Sequence, residues 1–144
     1  MNSVTLNTRG LDQLRKAFKE NMPKIKVGIL GSGRNATIGA AHEFGTSRLP
    51  IRSFLRVPLS ENLDDEMEKS GAFDKDALAR VVKEGSVKVY AEKIAAICLN
   101  IVQDAFATGG GGKWKKWKPG YINNTGQILV DTQQLRNSIS TEVT

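Results

Sequence analysis

Hydrophobic positions change period several times along the 144-residue chain, and each change marks an element. Val4 and Leu6 alternate with polar neighbours, which predicts a short edge strand. Leu11, Leu14, Ala17 and Phe18 then recur at helical spacing, with Thr8 placed to cap the helix and Pro23 to end it. In KIKVGIL, Ile25, Val27 and Ile29 alternate with Lys24, Lys26 and Gly28. This is the clearest strand pattern, with one face to bury and one to wet. GSGRN, residues 31–35, is a turn by composition. ATIGAAHEFG carries two periods at once: Ile38, Ala40, His42 and Phe44 fit a strand, while Ile38, Ala41 and Phe44 fit a helix. The short turn before it favours a strand paired with KIKVGIL.

TSRLPIRSFLRVP is irregular, punctuated by Pro50 and Pro58. Ser53 is placed to cap a helix through Leu55, Leu59 and Leu63 toward Met67, which Gly71 stops. Asp74 then caps the longest periodic run: Ala77, Leu78, Val81 and Val82, then Val89, Ile94, Ile97, Cys98, Ile101, Val102, Ala105 and Phe106. Gly85 divides this run into two helices. Four glycines at 109–112 end it and read as a flexible linker. In the tail, Ile128 and Val130 fit a short strand, and Asp131 or Thr132 can cap a helical turn through Leu135. Residues 138–144 alternate like a strand, with Ile139, Thr141 and Val143 on one face.

The length fits one domain with a hydrophobic core that needs no staples. No apolar run approaches the roughly 18 residues of a membrane span. The N-terminus lacks the pattern of a signal peptide, so synthesis and assembly in a cytosol are expected. Cys98 and His42 are the only residues of their types, which excludes an intramolecular disulfide and a Cys/His zinc site. Cys98 falls on the apolar helix face and reads as core. His42-Glu43 lacks the second histidine of a zinc-protease helix, since Thr46 occupies that position. Gly31-Ser32-Gly33 lacks the third glycine of a dinucleotide fingerprint. The carboxylates of Asp64, Asp65, Glu66 and Glu68 read as a solvated helix face. No cofactor and no catalytic set is expected.

The net charge is +6, and four of those charges fall in residues 109–121, which hold four lysines and no acid. Lys113, Trp114, Lys115, Lys116, Trp117 and Lys118 therefore form one local basic, aromatic feature on a nearly balanced chain. It reads as a mobile arm that contacts DNA or a partner, or as a solvated rim. The tryptophans dock on the chain's own core or, the favoured reading, on a neighbour.

Two further segments stand out. In the first, residues 42–56, Gly45 permits a sharp turn and Pro50 holds the chain extended, while Phe44, Phe54 and Leu55 can anchor both ends in the core. Glu43 lies among apolar neighbours and within reach of Arg48 or Arg52. Its carboxylate should be paired with one of them or should accept backbone N–H groups. Such a loop is tied down either for folding alone or to present an assembly surface. In the second, residues 131–139, Asp131 can cap the short helix, Leu135 and Ile139 face inward, and Arg136 can bond a carboxylate or carbonyls.

The order of EFGT, a proline, Arg-x-Phe-Leu-Arg, a long helical stretch, a tryptophan, and Asp-Thr-x-Gln-Leu-Arg-x-Ser-Ile resembles the tailed-phage virion morphogenesis and tail-completion families. These include Mu-type virion morphogenesis proteins and relatives of the lambda minor tail protein Z. The resemblance covers residues 27–143. It departs at Ser53, where the family often has proline, and at Gln133, where it often has glycine.

The resemblance implies an α+β single domain, a small mixed or antiparallel sheet packed against long helices. It also implies a homo-oligomeric ring, commonly of six copies, in the virion neck. There the ring would sit between a head-side connector or adaptor and the tail tube or tail terminator, with packaged phage DNA as a further partner in the lumen, and would catalyse no reaction. Tail terminator and head-completion protein are alternatives within that class. A cytosolic DNA-binding protein is the rival from another, favoured by the basic aromatic stretch.

Overall fold

β1 (Ile25–Ile29) forms where the alternation is clearest, and its partner is the last strand of the chain, β2 (Ile139–Val143). The two run antiparallel, from Ile25 opposite Val143 to Ile29 opposite Ile139. Lys24 and Thr144 exchange both N–H···O bonds, at 2.7 and 3.0 Å. By alternation along the ladder, the backbone groups of residues 25, 27 and 29, and of 139, 141 and 143, point away from the pair. On the outer face Lys26 opposes Glu142 at 3.2 Å. This is a computed structural model, and it describes residues 23–72, 74–84, 87–115 and 133–144. Of the N-terminal segment it describes residues 12, 15, 16, 19 and 20, which are helical and exposed. The strands expected at Val4–Leu6 and Ile128–Val130 lie outside the described residues, as do Thr8, Asp131 and Thr132.

Residues 34–44 are a helix, α1 (Arg34–Phe44), and not the expected strand paired with β1. The buried residues of α1 are Gly39, His42 and Glu43, with Ile38 half-buried. That face has helical spacing but is built from glycine and polar residues, so apolar periodicity alone could not reveal it. Gly39 lets the helix lie close on its neighbours, because a Cβ there would meet Ile29, Phe54 and Leu135.

α2 (Arg56–Lys69) ends at Ser70 and Gly71, whose φ of 77° takes the chain out of the helix. α3 (Lys75–Glu84) follows Asp74. α4 (Lys88–Thr108) is the hub of the fold. Over 21 residues it buries Ala91, Ala95, Cys98, Val102 and Ala105 along one stripe, with Ile101 and Phe106 beside them. α2 and both strands pack against it. Burial pushes the Cys98 thiol up, as expected of an inert core cysteine. α5 (Gln134–Asn137) leads into β2. The architecture is α+β in one small domain, and no helix among the described residues is long and apolar enough to cross a membrane.

The glycines at 109–112, expected as a flexible linker, form a defined turn. All four have left-handed φ values, 61°, 67°, 68° and 80°, and together they form a hydrogen-bonded reverse turn at the end of α4. Gly110 N–H donates to the Ala105 carbonyl at 2.7 Å, Gly112 N–H to Thr108 at 2.9 Å and Trp114 N–H to Gly109 at 3.0 Å. Only glycine adopts four such residues in succession at low cost. The turn folds Trp114 back onto its own chain, where it is 8% exposed and meets Phe106 edge-on at 5.8 Å. Phe106 in turn packs on Phe54 at 5.2 Å.

Candidate functional site

α1 ends in a stapled loop. The His42 carbonyl accepts the Arg52 N–H at 2.8 Å, closing residues 43–51 into one turn. Within it, Thr46 N–H donates to the Leu49 carbonyl at 3.0 Å, and Thr46 Oγ1 accepts from the N–H groups of Arg48 and Leu49. Gly45 has φ 75°, and a Cβ there would meet Ile51, so the two limbs of the loop are in contact.

Two buried charged residues hold this loop to the domain. The Glu43 carboxylate, 4% exposed, accepts four hydrogen bonds. They come from Ser53 Oγ at 2.7 Å and from the backbone N–H groups of Phe54, Leu55 and Arg56 at 2.9, 3.1 and 2.9 Å. These N–H groups open α2 and have no acceptor within that helix. The carboxylate therefore caps α2 from another element, at the end where the helix dipole favours negative charge. Ser53 adds the expected local cap, its Oγ accepting the Val57 N–H at 2.9 Å. Of the two partners expected for Glu43, backbone N–H groups are the ones found, and neither Arg48 nor Arg52 reaches it. The nearest guanidinium is that of Arg56, at 4.0 Å.

Arg52 is 1% exposed, and its Nε donates to the Lys115 carbonyl at 2.8 Å. Burial pulls the guanidinium below its ordinary pKa. His42 beside it is also buried. Desolvation, and secondarily the Arg52 charge, lowers the imidazole's pKa, so the ring is neutral at neutral pH.

Phe44 is not the core anchor its sequence position suggested. It is 62% exposed, with the Arg56 guanidinium 5.3 Å from its ring centroid. The reason is helical phase: the buried face of α1 is used by Gly39, His42 and Glu43, which turns residue 44 outward. Phe54 is buried as expected. The second motif also meets the core, since Leu135 and Ile139 join Phe54, Phe106 and Trp114 in one cluster. Arg136 Nε donates to Gln103 Oε1 at 2.7 Å, and Gln103 Nε2 donates back to the Arg136 carbonyl at 3.2 Å, fixing α5 to α4. No local pattern singled out Gln103.

The basic segment divides. Lys113 pairs with Glu61 at 2.9 Å, Trp114 is core, with Nε1 donating to the Ser53 carbonyl at 3.1 Å, and Lys115 is tied by its carbonyl to Arg52. The favoured docking of Trp114 on a neighbour is thus replaced by docking on its own core, and residues 109–115 are part of the domain. Lys116, Trp117 and Lys118 lie outside the described residues, as does Asp131 of the second motif. Beside this segment a groove of about 430 Å³ runs between α2 and α4, with Ile51, Glu61, Glu66, Asp104 and Lys113 in its walls. It brings together carboxylates, one lysine and apolar side chains, but not His42 or Cys98.

Comparison with protein-family models, with curated proteins and with solved structures finds no match to this chain.

Proposed function

We propose that this chain is a structural subunit of a tailed-phage virion, a neck or tail-completion protein that acts by assembling into a homo-oligomeric ring between head connector and tail. The observation that carries the reading is Gln133. It is the only non-glycine residue with positive φ among the described residues, at φ 53° and ψ 1°. It is also the position at which the resembled family often has glycine. A left-handed backbone, which glycine adopts at least cost, at the position where the family often has glycine supports a shared local structure in the second motif. The landmarks of the resemblance also converge. Phe54 of the first motif, Trp114, and Leu135 and Ile139 of the second share one hydrophobic cluster. What the resulting scaffold presents to solvent is the stapled loop at 43–52, held by Glu43 and Arg52.

On this reading the chain is not an enzyme. Its partners are further copies of itself, a head-side connector or adaptor, and the tail tube or terminator, with tail-terminator and head-completion roles as variants. The test is the native mass by light scattering, for the chain alone and with tail-tube or connector protein. A closed oligomer is expected, and a monomer at high concentration under both conditions would sink the reading. The DNA-binding alternative is tested by titrating salt against random-sequence DNA, where a true binder shows a steep slope.

A further inference from the structure

Two exposed surfaces of this chain carry opposite charge. The first is the stapled loop. Phe44 and Ile51, at 62% and 59% exposure, exceed Val89 and Leu30 among the exposed large hydrophobics. Gly45, the residue after Phe44, lies against Ile51. Arg56 lies over the Phe44 ring, Arg48 of the same loop and Lys115 are exposed, and on its other side Ile51 borders the groove that holds Glu61 and Asp104. The one acid of the segment, Glu43, is buried beneath. An exposed aromatic and an exposed aliphatic side chain with arginine beside the aromatic ring, on backbone held by hydrogen bonds, have the composition of an interface anchor.

The second surface is the outer face of α2. Glu61, Asp64, Asp65 and Glu68 are all exposed and fall at i, i+3, i+4 and i+7, forming one acidic stripe. The stripe sets like charges at i,i+4 twice, Glu61 with Asp65 and Asp64 with Glu68, and its last member, Glu68, lies in the final turn, where the dipole disfavours negative charge. Both arrangements weaken an isolated helix; Lys113 of the same chain relieves Glu61, and a cationic partner would relieve Asp64, Asp65 and Glu68.

We infer that the Phe44–Ile51 loop of one copy, with the exposed cations Arg48, Arg56 and Lys115, docks on the acidic α2 stripe of a second copy. The occupant is a second copy because the exposed cations Arg48, Arg56 and Lys115 complement the acids Asp64, Asp65 and Glu68, and both sets are carried by the same chain. Such a contact joins two different surfaces, so it repeats from copy to copy and closes into a ring when the rotation permits. The inference rests on the assembly reading above and specifies the contact by which copies would join.

The experiment uses the full chain and three variants: Phe44→Ser/Ile51→Ser, a loop reversal Arg48→Glu/Lys115→Glu, and a stripe reversal Asp64→Lys/Asp65→Lys/Glu68→Lys. Arg56 is left intact because it lies beside Glu43. Native mass is measured against concentration, and thermal melting checks the fold. Each variant is expected to melt like the parent, while the concentration needed for assembly rises on the order of a hundredfold. Mixing the two reversals should restore the parental mass, because acidic loops then face basic stripes and the reverse. Failure of the mixture to recover overturns the inference. So does retention of the parental mass by both reversals, which leaves the assembly reading standing. A parental chain that stays monomeric with tail-tube or connector protein overturns both. Loss of DNA binding in the loop reversal with assembly unchanged would show the loop to be a nucleic-acid contact instead. If a reversal fails to fold, the Phe44→Ser/Ile51→Ser variant decides, since both side chains are exposed: an unchanged assembly curve there overturns the inference.

Discussion

At the residue scale, the energetics concentrate in Glu43 and His42. Glu43→Ala would leave the Ser53 hydroxyl and three backbone N–H groups at the start of α2 without their acceptor. The expected loss is on the order of 3 kcal/mol, read as a lowered melting temperature. Glu43→Gln retains one carbonyl oxygen and should lose less. Arg52→Ala is expected to act in the same direction through the Lys115 carbonyl it releases. Unchanged melting in Glu43→Ala would remove the carboxylate from the architecture. His42 predicts a pH dependence. Its folded-state pKa is lowered, so the unfolded chain binds the proton more readily. Stability from this residue is complete above the unfolded value of about 6.5. It is lost as pH falls below that value toward the folded pKa, at up to about 1.4 kcal/mol per pH unit. Melting between pH 7.5 and 5.5 should show the fall, and His42→Gln should flatten it.

At the scale of elements, two left-handed segments make opposite predictions. Gln133 holds φ 53° at the entrance to α5, a conformation costing a non-glycine residue roughly 1–2 kcal/mol. Gln133→Gly should therefore stabilise the chain, by about 1 kcal/mol once the greater freedom of glycine in the unfolded state is subtracted. Equal or lower stability would mean that the turn is not strained. At Gly110 the sign reverses. Its φ is 67°, and a Cβ would run into the Trp114 indole. Gly110→Ala should cost at least about 1–2 kcal/mol from backbone strain alone and shift tryptophan emission toward that of solvent-exposed indole. An unshifted emission maximum would show that the turn tolerates a side chain without releasing Trp114.

For the whole molecule, α4 and the cluster around Phe106 tie residues from both ends of the described chain into one core. The fold should therefore unfold as a single unit. Charge is divided differently from that core: α2 carries five carboxylates on a chain of net charge +6. The lysine segment tests how the molecule would work in a virion. Lys113 is already engaged with Glu61, which makes an intramolecular role for it concrete. With Lys113, Lys115, Lys116 and Lys118 all changed to glutamine, particles with and without tails are counted and genome retention is measured in the tailed ones. Loss of joining with intact rings supports a partner contact. Normal joining with leaking DNA supports a lumen lining, and no change in either removes these lysines from the mechanism.

What the sequence by itself determined is what local periodicity encodes. β1, β2, the helices either side of Gly85, the stop at Gly71 and the core position of Cys98 all follow from spacing within a few residues. The two motif segments were also legible, as was the need of a semi-buried Glu43 for donors. Only the tertiary structure decided the rest. Residues 34–44 became a helix because their buried face is Gly39, His42 and Glu43, and what makes a glycine or a carboxylate acceptable inside is a neighbour absent from the local pattern. β1 paired with β2, where Lys26 and Glu142 stand 116 positions apart, rather than with the residues next to it. The glycine run could have been a linker. It became a turn because Trp114 found Phe106 and the Ser53 carbonyl, 61 positions away. Phe44 went outward for the complementary reason, since the helix had already spent its inner face. In each case an element's local preference is worth less than the area and hydrogen bonds it gains from distant partners, and no window of sequence contains both sides of such a contact.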